Sequence, residues 1–385
     1  MNVAVVLPEL DPHSGGGFTF QRTLYDALRA MEGQTTHRFV YYAGDAREDA
    51  RGPLIRLPRG ARDHAARRLL QLGRDLQDQV LGVRPLDRRG AFERSLEERD
   101  IELVWFATPY ARDCDQPYIF TIWDLEYLNQ PWFPEVGHRG EWQQRHSHYS
   151  RYVPRATRVI VPNDAGREQV MRAFGIGAER VLAFPHPTPE LSSAHSDIVA
   201  RENLPSPYLF YPAQYWAHKN HHALLRALQL LPRDLGLVCV GSDKGGRARV
   251  AAEVRELGLE DRVRLVGFVE ESDLVALYRG AHALVYPSFF GPENLPPLEA
   301  FALGCPVVAA DVAGAREQLG DAALLAPPTR PDLIAAAIAR LDDPELRERL
   351  VRAGTERAGT ATGGRYVAGV LAFLDEFEPV RRCWP

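Results

Sequence analysis

Residues Tyr286–Ala310, YPSFFGPENLPPLEAFALGCPVVAA, read in the order strand, irregular loop, helix, glycine, strand. Leu284, Val285 and Tyr286 end a short apolar run suited to a parallel strand buried on both faces. Gly291 and Pro292 break any regular structure between Phe290 and Leu295. Pro296 and Pro297 suit the first turn of a helix, where their missing N–H groups cost little. Glu299 falls on that turn, Gly304 closes the helix, and Cys305–Ala309 resume a buried strand. Such a loop brings free backbone N–H groups to one place with a carboxylate beside them. A helix start of this kind attracts phosphate, and the carboxylate one turn in can hold a ribose diol. The residues alone therefore point to a bound nucleotide.

The same alternation extends in both directions. Val3–Leu7, Phe39–Tyr42, Leu103–Phe106, Ile119–Trp123 and Val159–Val161 read as strands in the first half, with a first helix over Phe18–Met31. Tyr208–Tyr211, Leu237–Val240, Val263–Leu265, Ala283–Tyr286, Pro306–Ala309 and Ala323–Leu325 are strands in the second. His221–Leu231, Ser272–Tyr278 and Pro331–Leu341 are helices between them. Strands alternating with helices predict parallel sheets with right-handed crossovers. Two such sets predict an α/β chain of two Rossmann-like domains. The Pro/Ser-rich stretch Pro185–Pro207 marks the boundary.

The length of 385 residues also allows about two domains. A formal net charge of -5 argues against a nucleic-acid partner. Cys114, Cys239, Cys305 and Cys383 form neither a metal knuckle nor a disulfide framework, so a reducing, cytoplasmic compartment is expected. The opening MNVAVVLPEL does not read as a signal peptide, and no apolar run reaches the length of a membrane span. Residues 51–100 stand apart, with 12 Arg against 8 Asp plus Glu, a surplus of +4 in an acidic chain. Ala65–Val80 has the pattern of an amphipathic basic helix. An Arg-rich surface helix is its plain reading; peripheral contact with the inner face of a membrane, or with an anionic acceptor, is the sharper one.

Ser14–Gly17, SGGG, follows the first strand and precedes the first helix, where α/β proteins bind ligands. Its glycines expose N–H groups and permit close approach, but it has neither the G-x-G-x-x-G spacing nor a P-loop lysine. Taken alone, a tight turn explains it as well as a site does. Lys219, in YPAQYWAHKN after the first strand of the second half, would add a point charge to a diphosphate site. Asp113 and Asp115 have D-x-D spacing that suits a divalent cation, yet they precede a strand rather than follow one, so a solvated loop is the adopted reading. His146 and His148 fall in no H-E-x-x-H pattern, and no metal site is expected.

YPAQYWAHKNHHALLRAL, VRLVGFVEESDLVALYRGAHALVYPS and FGPENLPPLEAFALGCPVVAADVAGAREQLGDAALL together resemble family 4 retaining glycosyltransferases. SGGG and the TIWDL of residues 121–125 extend the resemblance, less specifically, into the first half. It implies the GT-B architecture: two Rossmann-like domains with parallel sheets facing across a cleft. Residues 1–190 would form the acceptor domain and 191–362 the nucleotide-sugar donor domain. Residues 363–385 would carry a helix that packs back on the first domain. By position, Glu299 matches the family glutamate on the ribose and Lys219 the lysine on the diphosphate. Asn294 and Leu295 match the loop whose amides hold phosphate and sugar, and Gly16 and Gly17 the first-domain glycine loop. Gly241 and Val269 fall where the base is contacted, and Asp124 matches the aspartate near the transferred sugar.

Three departures stand out. Gly291 occupies the place of the first of two family glutamates, leaving nearby Glu293 as a candidate for the sugar hydroxyls. Trp123 replaces the histidine before Asp124, and Gln214 replaces an arginine, so Lys219 carries more of the clamp. The expectation is a metal-independent enzyme without a cofactor. It would move a sugar from a nucleoside diphosphate, UDP ahead of GDP, to a glycan, lipid-linked glycan or small natural product. Asp124, Lys219 and Glu293 are its expected catalytic residues. A nucleotide-sugar epimerase on the same architecture, or a degenerate protein that only binds the nucleotide sugar, are the alternatives.

Overall fold

The computed structural model describes residues 1–8, 15–44, 54–57, 90–191, 195–291 and 293–384. Ser14, Pro292 and the basic helix expected over Ala65–Val80 lie outside the described residues. The first lobe holds strands β1 (Asn2–Leu7), β2 (Arg38–Ala43), β3 (Ile55–Arg56), β4 (Leu103–Phe106), β5 (Tyr118–Thr121), β6 (Arg158–Val161) and β7 (Val181–Ala183). The second holds β8 (Tyr208–Pro212), β9 (Gly236–Val240), β10 (Val263–Gly267), β11 (Ala283–Tyr286), β12 (Val307–Ala310) and β13 (Ala323–Ala326). They form a 7-stranded sheet in the order β3-β2-β1-β4-β5-β6-β7 and a 6-stranded sheet in the order β10-β9-β8-β11-β12-β13. Every strand pairing among the described residues is parallel, as the expected α/β class requires.

The strand sequences explain this arrangement. Val3–Leu7 is buried throughout, as is Leu103–Phe106 with Trp105 inside it. A strand apolar on both faces must be covered on both, which places helices above and below each sheet. Each fully buried Val, Leu or Phe contributes about 1.5–3 kcal/mol. Two features were not legible from periodicity. The edge strands Ile55–Arg56 and Val181–Ala183 are too short to show a period. The first helix begins at Gly16 rather than Phe18, so two of the expected site glycines lie in its first turn.

The strand order matters for function. In each sheet the order reverses at one point, between β1 and β4 and between β8 and β11. Ligands of open parallel sheets sit at the carboxyl ends of strands beside such a reversal. The loops there follow Leu7 in the first lobe and Pro212 and Tyr286 in the second.

The C-terminal helix Gly363–Arg381 crosses back to the first lobe, starting from a cap in which Thr362 accepts from the Arg365 amide. Tyr366 stacks on Trp105 at 6.3 Å and meets Phe20 edge-on at 5.8 Å. Asp375 bonds His37 at 3.0 Å, and Glu378 lies 3.5 Å from the N-terminal ammonium. Gly363 permits the approach, since a Cβ there would lie 2.9 Å from Ala27 Cβ and 3.2 Å from the Thr23 carbonyl. Gly363→Leu should therefore destabilise the protein by about 1–3 kcal/mol, read as a lower urea midpoint. An unchanged midpoint would show that the helix does not dock this closely.

Candidate functional site

At the first reversal the chain leaves β1 and enters the helix Gly16–Met31 through Gly15, whose φ is +73°. The first turn of that helix holds no acidic residue, so its amides present an uncompensated positive end. Gln21 Nε2 donates to the Gly17 carbonyl at 3.0 Å and braces the turn. Across the cleft, a Cβ at Gly15 would lie 3.4 Å from Gln214 Nε2, and one at Gly16 would lie 3.7 Å from Leu295 Cδ1. The glycine turn thus almost touches two expected donor-site residues of the other lobe.

At the second reversal β8 gives way to a short 3-10 turn, Ala217–Lys219. Gln214 Oε1 accepts from Trp216 Nε1 at 2.8 Å, and its amide nitrogen is the atom that faces Gly15. Lys219 Nζ donates to the Tyr286 hydroxyl at 2.8 Å and forms no ion pair among the described residues. Its charge reaches Asp124 of the first lobe. Burial pushes the Asp124 carboxyl up, while the Glu126 amide at 2.9 Å, Arg145 and Lys219 pull it down. Trp123 does not open into this space. It packs edge-on to Phe20 at 5.5 Å, and its buried indole N–H has no partner among the described residues.

The Pro-Pro loop is built differently from the expectation. The Asn294 amide is not offered to a phosphate. It donates to Gln318 Oε1 at 3.1 Å, and Gln318 Nε2 donates back to the Asn294 carbonyl at 2.7 Å. Leu295 is left as the amide donor at the helix start, because Pro296 and Pro297 have none. Glu299 is buried, and its Oε2 accepts from the Tyr278 hydroxyl at 2.6 Å. Burial pushes the Glu299 carboxyl up and that hydroxyl opposes it. Gly291 has no room for the absent glutamate: a Cβ would lie 2.5 Å from the Ala313 carbonyl oxygen and 3.2 Å from Val312 Cγ2. Gly241, at φ +151°, is equally constrained, with a Cβ 2.4 Å from the Ala213 carbonyl beside Gln214. Val269 follows β10, half-buried.

Glu293 turns away from Lys219 and Gln214. Its Oε2 accepts from the His186 backbone amide at 2.6 Å, which commits it to the linker between the lobes rather than to a sugar. Burial pushes this carboxyl well above its usual range and pushes the His186 imidazole down to about 4. The two line a cavity of about 710 Å³ on the linker side, together with Glu317, Gln318, Arg357 and Tyr366.

Several residues escaped the sequence reading. Tyr278, Tyr286 and Gln318 hold Glu299, Lys219 and Asn294, but each lies many residues from its partner and carries no motif. Glu126 was within reach, two positions after Asp124. Burial pushes its carboxyl up to about 7, and Gln130 bonds it at 2.8 Å while also donating to the Phe289 carbonyl of the second lobe at 2.8 Å. Glu135 accepts from both the amide and the ring of His218, at 2.8 and 2.6 Å. The lobes are therefore held together. Asp113 is taken by Arg151 at 2.7 Å and by the Tyr152 hydroxyl at 3.0 Å.

Residues 196–357 match the family described as Glycosyl transferases group 1. O-antigen chain mannosyltransferase B of Escherichia coli is 32% identical over 217 residues, which cover 52% of this chain and 55% of that protein. The chain spans about half the length of the curated relatives it matches. Sucrose-phosphate synthase from Thermosynechococcus elongatus shares the fold with a TM-score of 0.75 at 21% identity, over 99% of this chain and 100% of that one. Anabaena HepE, solved in complex with UDP-glucose, does so with a TM-score of 0.68 at 16% identity, over 97% and 99%. At such identities the likeness concerns the fold, and that fold is GT-B. Across residues 196–357, less than half of its length, the chain is thus similar to the group 1 glycosyl transferases.

Proposed function

We propose that the chain is a retaining glycosyltransferase that moves a sugar from a nucleoside diphosphate to an acceptor hydroxyl. Lys219 and the amides at two helix starts would meet the charge of the diphosphate in place of a metal. One observation carries the reading. Gly15 and Gly16 lie against Gln214 and Leu295 of the opposite lobe, and Lys219, whose charge reaches Asp124 across the cleft, has no ion-pair partner among the described residues. Helix starts and a cation that converge across a cleft suit a polyphosphate anion. Tyr278 holds one oxygen of Glu299, which leaves the other for a ribose hydroxyl. The family match and the mannosyltransferase relative support sugar transfer, and the UDP-glucose bound by HepE supports a uridine donor.

As the bond from the anomeric carbon to the diphosphate breaks, negative charge grows on the leaving phosphate. Preorganised N–H groups and Lys219 stabilise it at that moment. Retention follows when the acceptor attacks from the side the diphosphate leaves, with a phosphate oxygen taking the acceptor's proton. No side-chain base is then needed, and Asp124 orients the sugar or the acceptor. The contacts Glu135–His218 and Gln130–Phe289 keep the lobes closed and water out. The O-antigen relative supports a glycan acceptor, including a lipid-linked one; a small natural product is the other class. A cytoplasmic location, with peripheral contact at the inner face of a membrane, belongs to the same proposal. Among the described residues no helix is long and apolar enough to cross a membrane.

A nucleotide-sugar-binding protein without turnover is the second reading. Gly291 favours it, because the backbone around that position excludes the missing glutamate. Consumption of UDP-sugar across a panel of acceptors would reject it.

Two outcomes follow. A charged hydrogen bond contributes about 1.5–3 kcal/mol, so Lys219→Ala should lower donor kcat/KM by about 10- to 100-fold without changing the ligand-free melting temperature. Wild-type turnover in that variant would sink the donor-site assignment. The second concerns Glu126. The folded protein holds this proton more tightly than the unfolded chain, whose value is near 4.5. The stabilisation is complete below that pH and is lost as pH rises through about 7. Glu126→Gln should therefore raise the unfolding free energy at alkaline pH by up to about 3 kcal/mol and leave it unchanged in acid. Urea titrations at both extremes decide it, and an equal gain at both would reject the burial argument.

A further inference from the structure

The short helix Ala315–Leu319 touches three separate parts of the molecule. Glu317 reaches across the lobe boundary. Its Oε2 accepts from the Asp164 amide at 2.9 Å and its Oε1 from the Ala165 amide at 3.1 Å. Both amides open the first-lobe helix Asp164–Phe174, so the carboxylate meets the positive end of that helix. Gln318, the next residue, is buried and closes a two-bond ring with the backbone of Asn294. Arg357, from the helix Pro344–Thr360, donates to the carbonyls of both Glu317 and Gln318 and clamps the turn from behind.

We propose that Glu317 and Gln318 are positioning residues that couple closure of the lobes to the shape of the donor-phosphate loop. The proposal rests on the glycosyltransferase reading above. Glu317 can make its paired bonds only when the helix Asp164–Phe174 is in place, which requires the closed arrangement. If the lobes part, the carboxylate returns to water and loses its hold on the other lobe. Gln318 sits on the same clamped turn, so a shift there is passed to Asn294 and to the neighbouring Leu295 amide. By linkage, an anion that orders the loop must favour closure to the same extent. A glutamine at 318 suits this part because it both accepts from the N–H of Asn294 and donates to its carbonyl, which an apolar residue cannot do.

Glu317→Gln, Gln318→Met and the double variant, made in the full chain, test the idea. UDP and GDP are the calorimetric probes, and solution scattering with and without UDP reports closure. Each single change should weaken diphosphate binding by about tenfold or more. The double should be no worse than about threefold beyond the weaker single, because both break one linkage. Glu317→Gln should also enlarge the radius of gyration in the presence of UDP. Losses that multiply in the double variant would overturn the coupling. So would a lowered melting temperature with unchanged diphosphate affinity, which marks a merely structural role. If Gln318→Met fails to fold, Gln318→Glu takes its place, since it still accepts from the Asn294 amide but no longer donates. Wild-type protein that binds neither diphosphate would overturn the glycosyltransferase reading instead. Scattering would then still judge the latch, and an unchanged radius of gyration in Glu317→Gln would reject it.

Discussion

Close approach of backbone to backbone at the carboxyl ends of two parallel sheets is the constraint on which the rest of the structure depends. Strands apolar on both faces bury themselves between helices and leave their carboxyl-end loops free to meet across a cleft. Gly15, at φ +73°, turns the first-lobe chain toward Gln214, and glycine at 241 and 291 lets the second-lobe loops pack on one another. The absent glutamate at 291 belongs to this packing. Its place is filled by the carbonyl of Ala313 and the side chain of Val312.

Burial also sets the charge of the site. The carboxyls of Asp124, Glu293 and Glu299 are all pushed up by desolvation. Desolvation makes each of these carboxyls harder to ionise than it would be in water. Glu317 is the contrasting case, an exposed carboxylate satisfied by two amides from the other lobe.

Much of this was legible in the residues. Apolar runs separated by amphipathic segments gave away the two parallel sheets, and Pro-Pro before Glu299 gave away the helix start. The expectation that Lys219 and the Glu299 loop face one cleft rests on strand ends, which periodicity locates to within a residue or two, and the glycine turn joins them only through the family resemblance. Side-chain direction was not legible. Glu293 and Asn294 are adjacent, yet one faces the linker and the other is ringed by Gln318. Nothing local separates them, because the partners that pull them apart lie 107 and 24 residues away.

By itself the sequence determined the α/β class, the division into two Rossmann-like units and the loops that carry chemistry. These follow from hydrophobic period and from glycine and proline geometry, which act over a few residues. Tertiary structure alone decided which polar groups are already engaged. Tyr278 on Glu299, Tyr286 on Lys219, Gln318 on Asn294 and Glu317 on the opposite lobe all join segments distant in the chain. A buried polar group must find a partner wherever folding brings one, and that partner is set by packing rather than by neighbours in sequence.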